Sequence, residues 1–138
     1  MFNHEYRSNY IKECYIFLVN IKSKTMKDLN NFRSYKAFLE SPHPSTKHST
    51  YFSAYDDIFN KYIGKEIIFV EVGVLGGGSL FMWKNFFGKK ARIIGIDLNP
   101  EAKKWEKDGF EIFIGDQSDP DFWIDFYKQV GELVILLD

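Results

Sequence analysis

A covalent framework is missing from this chain: one cysteine in 138 residues, Cys14, allows no intramolecular disulfide and no cysteine-based zinc site. Its expected place is that of a small buried hydrophobe. An excess of one charge is missing too. Lys and Arg number 18 against 19 Asp and Glu, for a formal net charge of −1. No basic stripe gathers the positive residues, so the electrostatic footprint of a nucleic-acid binder is lacking. No apolar run approaches the ~20 residues of a membrane-spanning helix. The short patch Tyr15 to Val19 follows acidic Glu5 and Glu13, and no small-residue cleavage site comes after it, which argues against a secretory signal. The expectation is a cytoplasmic protein with neither a nucleic-acid nor a membrane partner. What the chain does have is aromatic bulk, 14 Phe and 8 Tyr, within 45% hydrophobic and 27% charged residues. That is ordinary globular composition with enough apolar mass for a core.

The pattern changes near residue 64. Before it the signals are helical. Tyr6, Tyr10, Cys14, Phe17 and Ile21 fall on one face of a helix over residues 4–22, although Tyr15 to Ile21 also fits a strand. Thr25 with Asp28 resembles a capping box, and Met26, Leu29, Phe32, Tyr35 and Leu39 form the stripe of a second helix. Pro42 stops it, and Ser41 to Thr50 is a polar loop. A third helix runs from near Thr50 to Gly64, carrying Tyr51, Tyr55, Ile58, Phe59 and Tyr62. Residues 1–50 thus read as an N-terminal helical segment with its loop, and 51–138 as the main domain.

After residue 64, strand and helix signals alternate. Strands are expected at Ile67 to Val72, Arg92 to Ile96, Phe110 to Ile114 and Leu133 to Leu137, with helices at Ser79 to Phe87, Pro100 to Lys107 and Pro120 to Val130. Strands with near-continuous apolar runs are those buried on both faces. The fold class is therefore α/β, a Rossmann-like doubly wound parallel sheet of order 3-2-1-4.

The informative segment is Glu71-Val-Gly73-Val-Leu-Gly76-Gly77-Gly78-Ser79, where the first strand hands over to a helix. Glycines there let a ligand approach the backbone, and a helix start offers unpaired N–H groups. It is not a phosphate loop: Ser79 and Leu80 stand where Lys and Ser/Thr would follow Gly78. It is not the dinucleotide fingerprint either. Leu75 follows Gly73 at the second glycine position, and Phe81 follows Gly78 at the third. What remains is an acid at the end of each strand: Glu71, Asp97, Asp116 (followed by Gln117) and Asp138. Ligands of open α/β sheets lie beyond the carboxyl ends of the strands. An ammonium, a ribose diol and an adenine suit these acids; a phosphate-rich ligand does not.

With these residues the chain resembles the class I S-adenosylmethionine (SAM) dependent methyltransferases. FVEVGVLGGGSLFMWKNFF looks like their glycine motif, RIIGIDLNP like the ribose motif, FIGDQSD like the adenine motif, and LVILLD like the start of the fourth. Together with KHSTYFSAYDDIF upstream, it is most similar to the branch of macrolide and sugar O-methyltransferases and the proteins called cephalosporin hydroxylases. The resemblance implies that Glu71, Gly73, Gly77 and Ser79 flank the methionine portion of SAM. It implies that Asp97 holds the ribose, and Asp116 and Gln117 the adenine. It also matches Asp138 to the first metal-liganding Asp of that branch, with Mg²⁺ as the candidate ion. The implied activity is methyl transfer to a hydroxyl of a sugar or secondary metabolite.

The family pattern continues past the fourth strand with a second acid, a nearby His and further strands, so the sequence reads as truncated there, with the catalytic segment missing. Two further readings stay open: a remnant that binds SAM without catalysis or only with a partner, and another nucleotide- or dinucleotide-binding Rossmann domain. The apolar fourth strand, with no successor, is expected to leave an edge through which a second copy could pair.

Overall fold

A computed structural model describes residues 29–131 and 135–138. The expected helix over 4–22, the cap at Thr25, Cys14, and positions 133–134 of the fourth strand lie outside these residues. The described chain forms a parallel sheet of four strands, β1 (Ile68–Val72), β2 (Arg92–Asp97), β3 (Glu111–Ile114) and β4 (Ile135–Leu137), in the order β3-β2-β1-β4. This is the architecture expected from the alternating signals. In register, Glu71 lies between Gly95 of β2 and Leu137 of β4, and Asp97 lies beside Ile114 of β3. The acids are thereby brought to one end of the sheet.

Each face of the sheet is covered, because β1 alternates. Phe69 faces one layer, built from α1 (Arg33–Leu39), α2 (Ser49–Phe59) and α3 (Gly78–Phe87). Val70 faces the other, where Ile94, Ile96, Phe126 and Val130 pack beneath α4 (Pro120–Val130). The first layer holds the aromatic bulk. Trp83 is fully buried with its ring 4.7 Å from that of Phe69 and 4.9 Å from that of Tyr55. Truncating such a side chain to alanine costs about 3–5 kcal/mol.

The stripe from Met26 to Leu39 predicts one helix, but the structure breaks it. A 3-10 turn at Leu29–Asn31 precedes α1, which starts afresh at Arg33. Asn30 and Asn31 are poor helix formers. The new start has a cap from elsewhere: the buried Asp56 of α2 accepts the N–H groups of Arg33 (2.7 Å) and Ser34 (2.9 Å). Ser34 Oγ donates to the Phe52 carbonyl, and Arg33 Nε to the Phe86 carbonyl. These bonds tie α1 to both α2 and α3.

The segment Pro100–Asp108, expected as an ordinary helix, winds as 3-10 turns. At three residues per turn, residues three apart eclipse, and its two buried residues, Ala102 and Trp105, have that spacing. Asn99 caps it by accepting from Glu101 N, as Asp119 caps α4 by accepting from Asp121 N. Among the described residues no helix is long and apolar enough to cross a membrane.

Candidate functional site

Glu71 is the most enclosed acid at the carboxyl end of the sheet. Strand alternation turns it to the same face as Phe69, against α3, and leaves it 4% exposed. Its Oε1 accepts from Ser79 Oγ at 2.6 Å, from Lys47 Nζ at 3.1 Å and from Trp83 Nε1 at 3.3 Å. Its Oε2 is buried with no partner among the described residues. A carboxylate that crowds three donors on one oxygen can take a further donor on the other, since an unmet buried acceptor costs about 1–3 kcal/mol. Tyr55 stands close enough to feel this charge. Burial first, then the charge of Glu71, then Tyr51, push its hydroxyl well above the ordinary tyrosine value.

The glycine run after Glu71 divides into two kinds of position. Gly73 has φ +85° and no heavy atom within 4 Å of where a Cβ would stand, so an open space adjoins the backbone there. Gly77, also at positive φ (+78°), faces the indole of Trp105, whose Cζ2 would lie 2.7 Å from a Cβ. Gly78 is pressed by the carbonyls of His43 and Pro44, the latter at 2.5 Å from a Cβ. Ser41 Oγ donates to the Gly78 carbonyl at 2.9 Å. The polar loop before α2 therefore rides on the glycine run.

Asp97 ends β2 and faces the turn. Its Oδ2 accepts the N–H groups of Val74 (2.9 Å) and Leu75 (3.1 Å), and its Oδ1 that of Asn99 (2.9 Å). Burial pushes its carboxyl up, but the backbone donors, Asn99 first, then Leu75, Val74 and Leu98, outweigh it and hold the group below the usual aspartate value. Leu75 itself is a non-glycine residue at positive φ (+46°), 86% exposed. A shallow cleft of about 90 Å³ lies here, lined by Leu75, Asp97, Asn99, Glu101, Ala102 and Lys104. Its volume is below that of an enclosed small-molecule pocket.

The remaining expected residues are further out. Asp116 is exposed, and its Oδ1 accepts Ser118 N at 2.8 Å, the first cause of a carboxyl held below the usual value. Exposed Gln117 offers its carbonyl to Trp123 Nε1 at 2.8 Å. Asp138 is exposed just after β4. No group of three His, Cys, Asp or Glu residues that could hold a metal ion is assembled among the described residues. Asp138 alone falls short of the oxygen set that Mg²⁺ requires. The structure thus brings Glu71, Gly73, Ser79 and Asp97 to one end of β1 and β2, with Asp116 and Gln117 at the end of β3. Sequence reasoning missed Lys47 as a site residue and read Tyr55 only as part of a helical stripe. The signal available for Lys47 was a lone cation in the polar loop, immediately before His48.

No family model matches the chain. Curated relatives do. The chain is 31% identical over 96 residues to an 8-demethyl-8-alpha-L-rhamnosyl tetracenomycin-C 2'-O-methyltransferase of Streptomyces olivaceus, covering 64% of this chain and 25% of the relative. It is 32% identical over 91 residues to a demethylmacrocin O-methyltransferase of Streptomyces fradiae, covering 61% and 22%. Among solved structures, the MycE methyltransferase of the mycinamycin biosynthetic pathway, in complex with Mg, SAH and mycinamycin VI, matches with a TM-score of 0.56 and 33% identity, over 64% of this chain and 24% of that one. The chain spans about a quarter of the length of the curated relatives it matches. In sequence and in fold, this chain resembles the class I SAM-dependent methyltransferases of the macrolide and sugar O-methyltransferase branch.

Proposed function

We propose that the chain binds SAM across the carboxyl ends of β1, β2 and β3 and serves methyl transfer to a hydroxyl of a sugar or secondary metabolite. One observation carries the reading: the buried, unpartnered Oε2 of Glu71, next to a backbone left open at Gly73. An ammonium satisfies such an oxygen with a charge-assisted hydrogen bond, and the methionine end of SAM carries one. Asp97 holds the turn through three short backbone hydrogen bonds and, only partly buried, keeps its outward edge for a ribose diol. Asp116 and Gln117 take the adenine end. The curated relatives are O-methyltransferases, and the solved neighbour was crystallised with SAH and Mg, which supports the same assignment.

When bound, SAM supplies an electrophilic methyl on a sulfonium. The contribution of this chain to the reaction is positioning. Glu71, fixed by Ser79 and Trp83, anchors the amino-acid end. Gly73 permits close backbone approach. Asp97 fixes the nucleoside relative to the turn. The described residues do not assemble a site that fits Mg²⁺. Calorimetric titration of the chain with S-adenosylhomocysteine, NAD and ATP tests the reading. The expected result is that S-adenosylhomocysteine binds far more tightly than either nucleotide. Comparable binding of NAD would overturn the cofactor assignment in favour of a dinucleotide domain.

A further inference from the structure

Lys47 reaches Glu71 from outside the Rossmann-like unit, and its surroundings are unusual for a lysine. Its side chain is only 14% exposed. An ammonium carries three donors, and among the described residues its one hydrogen-bond acceptor is Glu71 Oε1. Two residues earlier on the same loop, Ser45 Oγ is buried and has no partner among the described residues. The loop that carries both is seated firmly. Ser41 Oγ lies 2.9 Å from the carbonyls of both His43 and Gly78, which share its one proton, and a Cβ at Gly78 would have no room against the loop backbone. A cation with spare donors is thus held against a carboxylate whose second oxygen has no partner among the described residues, two positions before the open backbone at Gly73.

We propose that Lys47 recognises the α-carboxylate of the cofactor's amino-acid end, while Glu71 Oε2 takes the ammonium of that same end. The proposal rests on the SAM-binding reading and deepens it. The charge arithmetic supports it. The acids at the strand ends repel a carboxylate, and Lys47 is placed to reverse that repulsion at Glu71. A Lys–Glu pair is neutral and so is a zwitterion; docking one on the other buries no uncompensated charge. Each half of the zwitterion then meets an opposite charge in a charge-assisted hydrogen bond. Lys47 is accordingly a specificity residue: it makes the site read an intact amino-acid end, not an adenosine with an apolar tail.

The test is calorimetric titration of the full chain, wild type and Lys47→Met, with three ligands: S-adenosylhomocysteine, its decarboxylated analogue, and 5'-methylthioadenosine, which lacks the amino-acid end. Wild type is expected to prefer S-adenosylhomocysteine over the decarboxylated analogue by tenfold or more. Lys47→Met should erase that preference and leave the affinity for 5'-methylthioadenosine unchanged, and Lys47→Arg should restore part of it. A purely structural lysine would weaken all three ligands together, and that outcome overturns the proposal. If Lys47→Met does not fold, the wild-type ratio still decides: equal affinity for the two amino-bearing ligands refutes carboxylate recognition. Wild type binding none of the three ligands defeats the cofactor reading itself, whereas tight binding with no dependence on the carboxylate defeats only the role of Lys47.

Discussion

Replacing Asp97 by alanine separates the bracing of the turn from the proposed contact with the ribose. In the folded chain its carboxylate accepts three backbone N–H groups. Two of these, at Leu75 and Asn99, belong to exposed residues and can turn to water when the carboxylate is removed. The third, at Val74, belongs to a residue 2% exposed and is left without a partner. A buried donor stranded in this way costs about 1–3 kcal/mol. The expected loss of stability is therefore about 1–3 kcal/mol, read from the urea midpoint at constant slope. Binding adds a second loss. Without the carboxylate a ribose diol has no acceptor at the end of β2, and the turn that presents Gly73 is no longer held. S-adenosylhomocysteine affinity should fall by a further ~1–3 kcal/mol, or about 5- to 150-fold in Kd. An alanine variant as stable as wild type would refute the anchoring argument. A stable, folded variant with unchanged Kd would refute the ribose role.

Three other outcomes are expected. Gly73→Ala should cost only about 1–2 kcal/mol of stability, the left-handed penalty in open space, yet reduce S-adenosylhomocysteine affinity at least tenfold in the same titration. Gly77→Ala adds overpacking against Trp105 to the same penalty and should cost about 2–5 kcal/mol in denaturant unfolding. For pH, the Asp97 carboxyl is held below its unfolded value. Its contribution is thus complete above ~3.9 and drains as the pH falls through the lower folded value. Asp97→Asn should flatten that acid limb in a pH series of urea midpoints, and an unchanged limb would contradict the assignment.

Much of the fold is legible in the sequence because burial on two faces leaves a plain record. Phe69 and Val70 point to opposite layers, and both are fully buried, so β1 reads as an unbroken apolar run. The same holds for Ile93, Ile94 and Ile96 in β2. Turn chemistry is equally plain: Asn99 before Pro100 and Asp119 before Pro120 each cap the helical turn that begins at the proline. The break between Leu29 and Arg33 is not legible, because its cause is Asp56, a residue more than twenty positions away that caps α1 through space. A stripe of apolar residues at helical spacing continues across such a break without a mark.

The candidate site is legible as a set of residues and not as a set of tasks. Strand-end acids and a glycine run are conspicuous wherever they stand, but a glycine that yields to a ligand and one that yields to an indole are the same letter. Gly73 opens on free space, whereas Gly77 faces Trp105 and Gly78 the loop at His43 and Pro44. Asp97 has the same double character: its position at the end of β2 suggests a ligand contact, and its hydrogen bonds show a brace for the turn. Lys47 lies furthest from reach of sequence reasoning. It opens a segment that carries the resemblance, but the sequence assigns the lysine no task there, and its partner Glu71 is 24 positions on. The pairing exists because α1 is fastened to α3 through Arg33 and the loop to Gly78 through Ser41. A site placed by the strand ends is thus closed on one side by a segment that precedes the first strand. Its charge balance follows from tertiary packing, not from any motif.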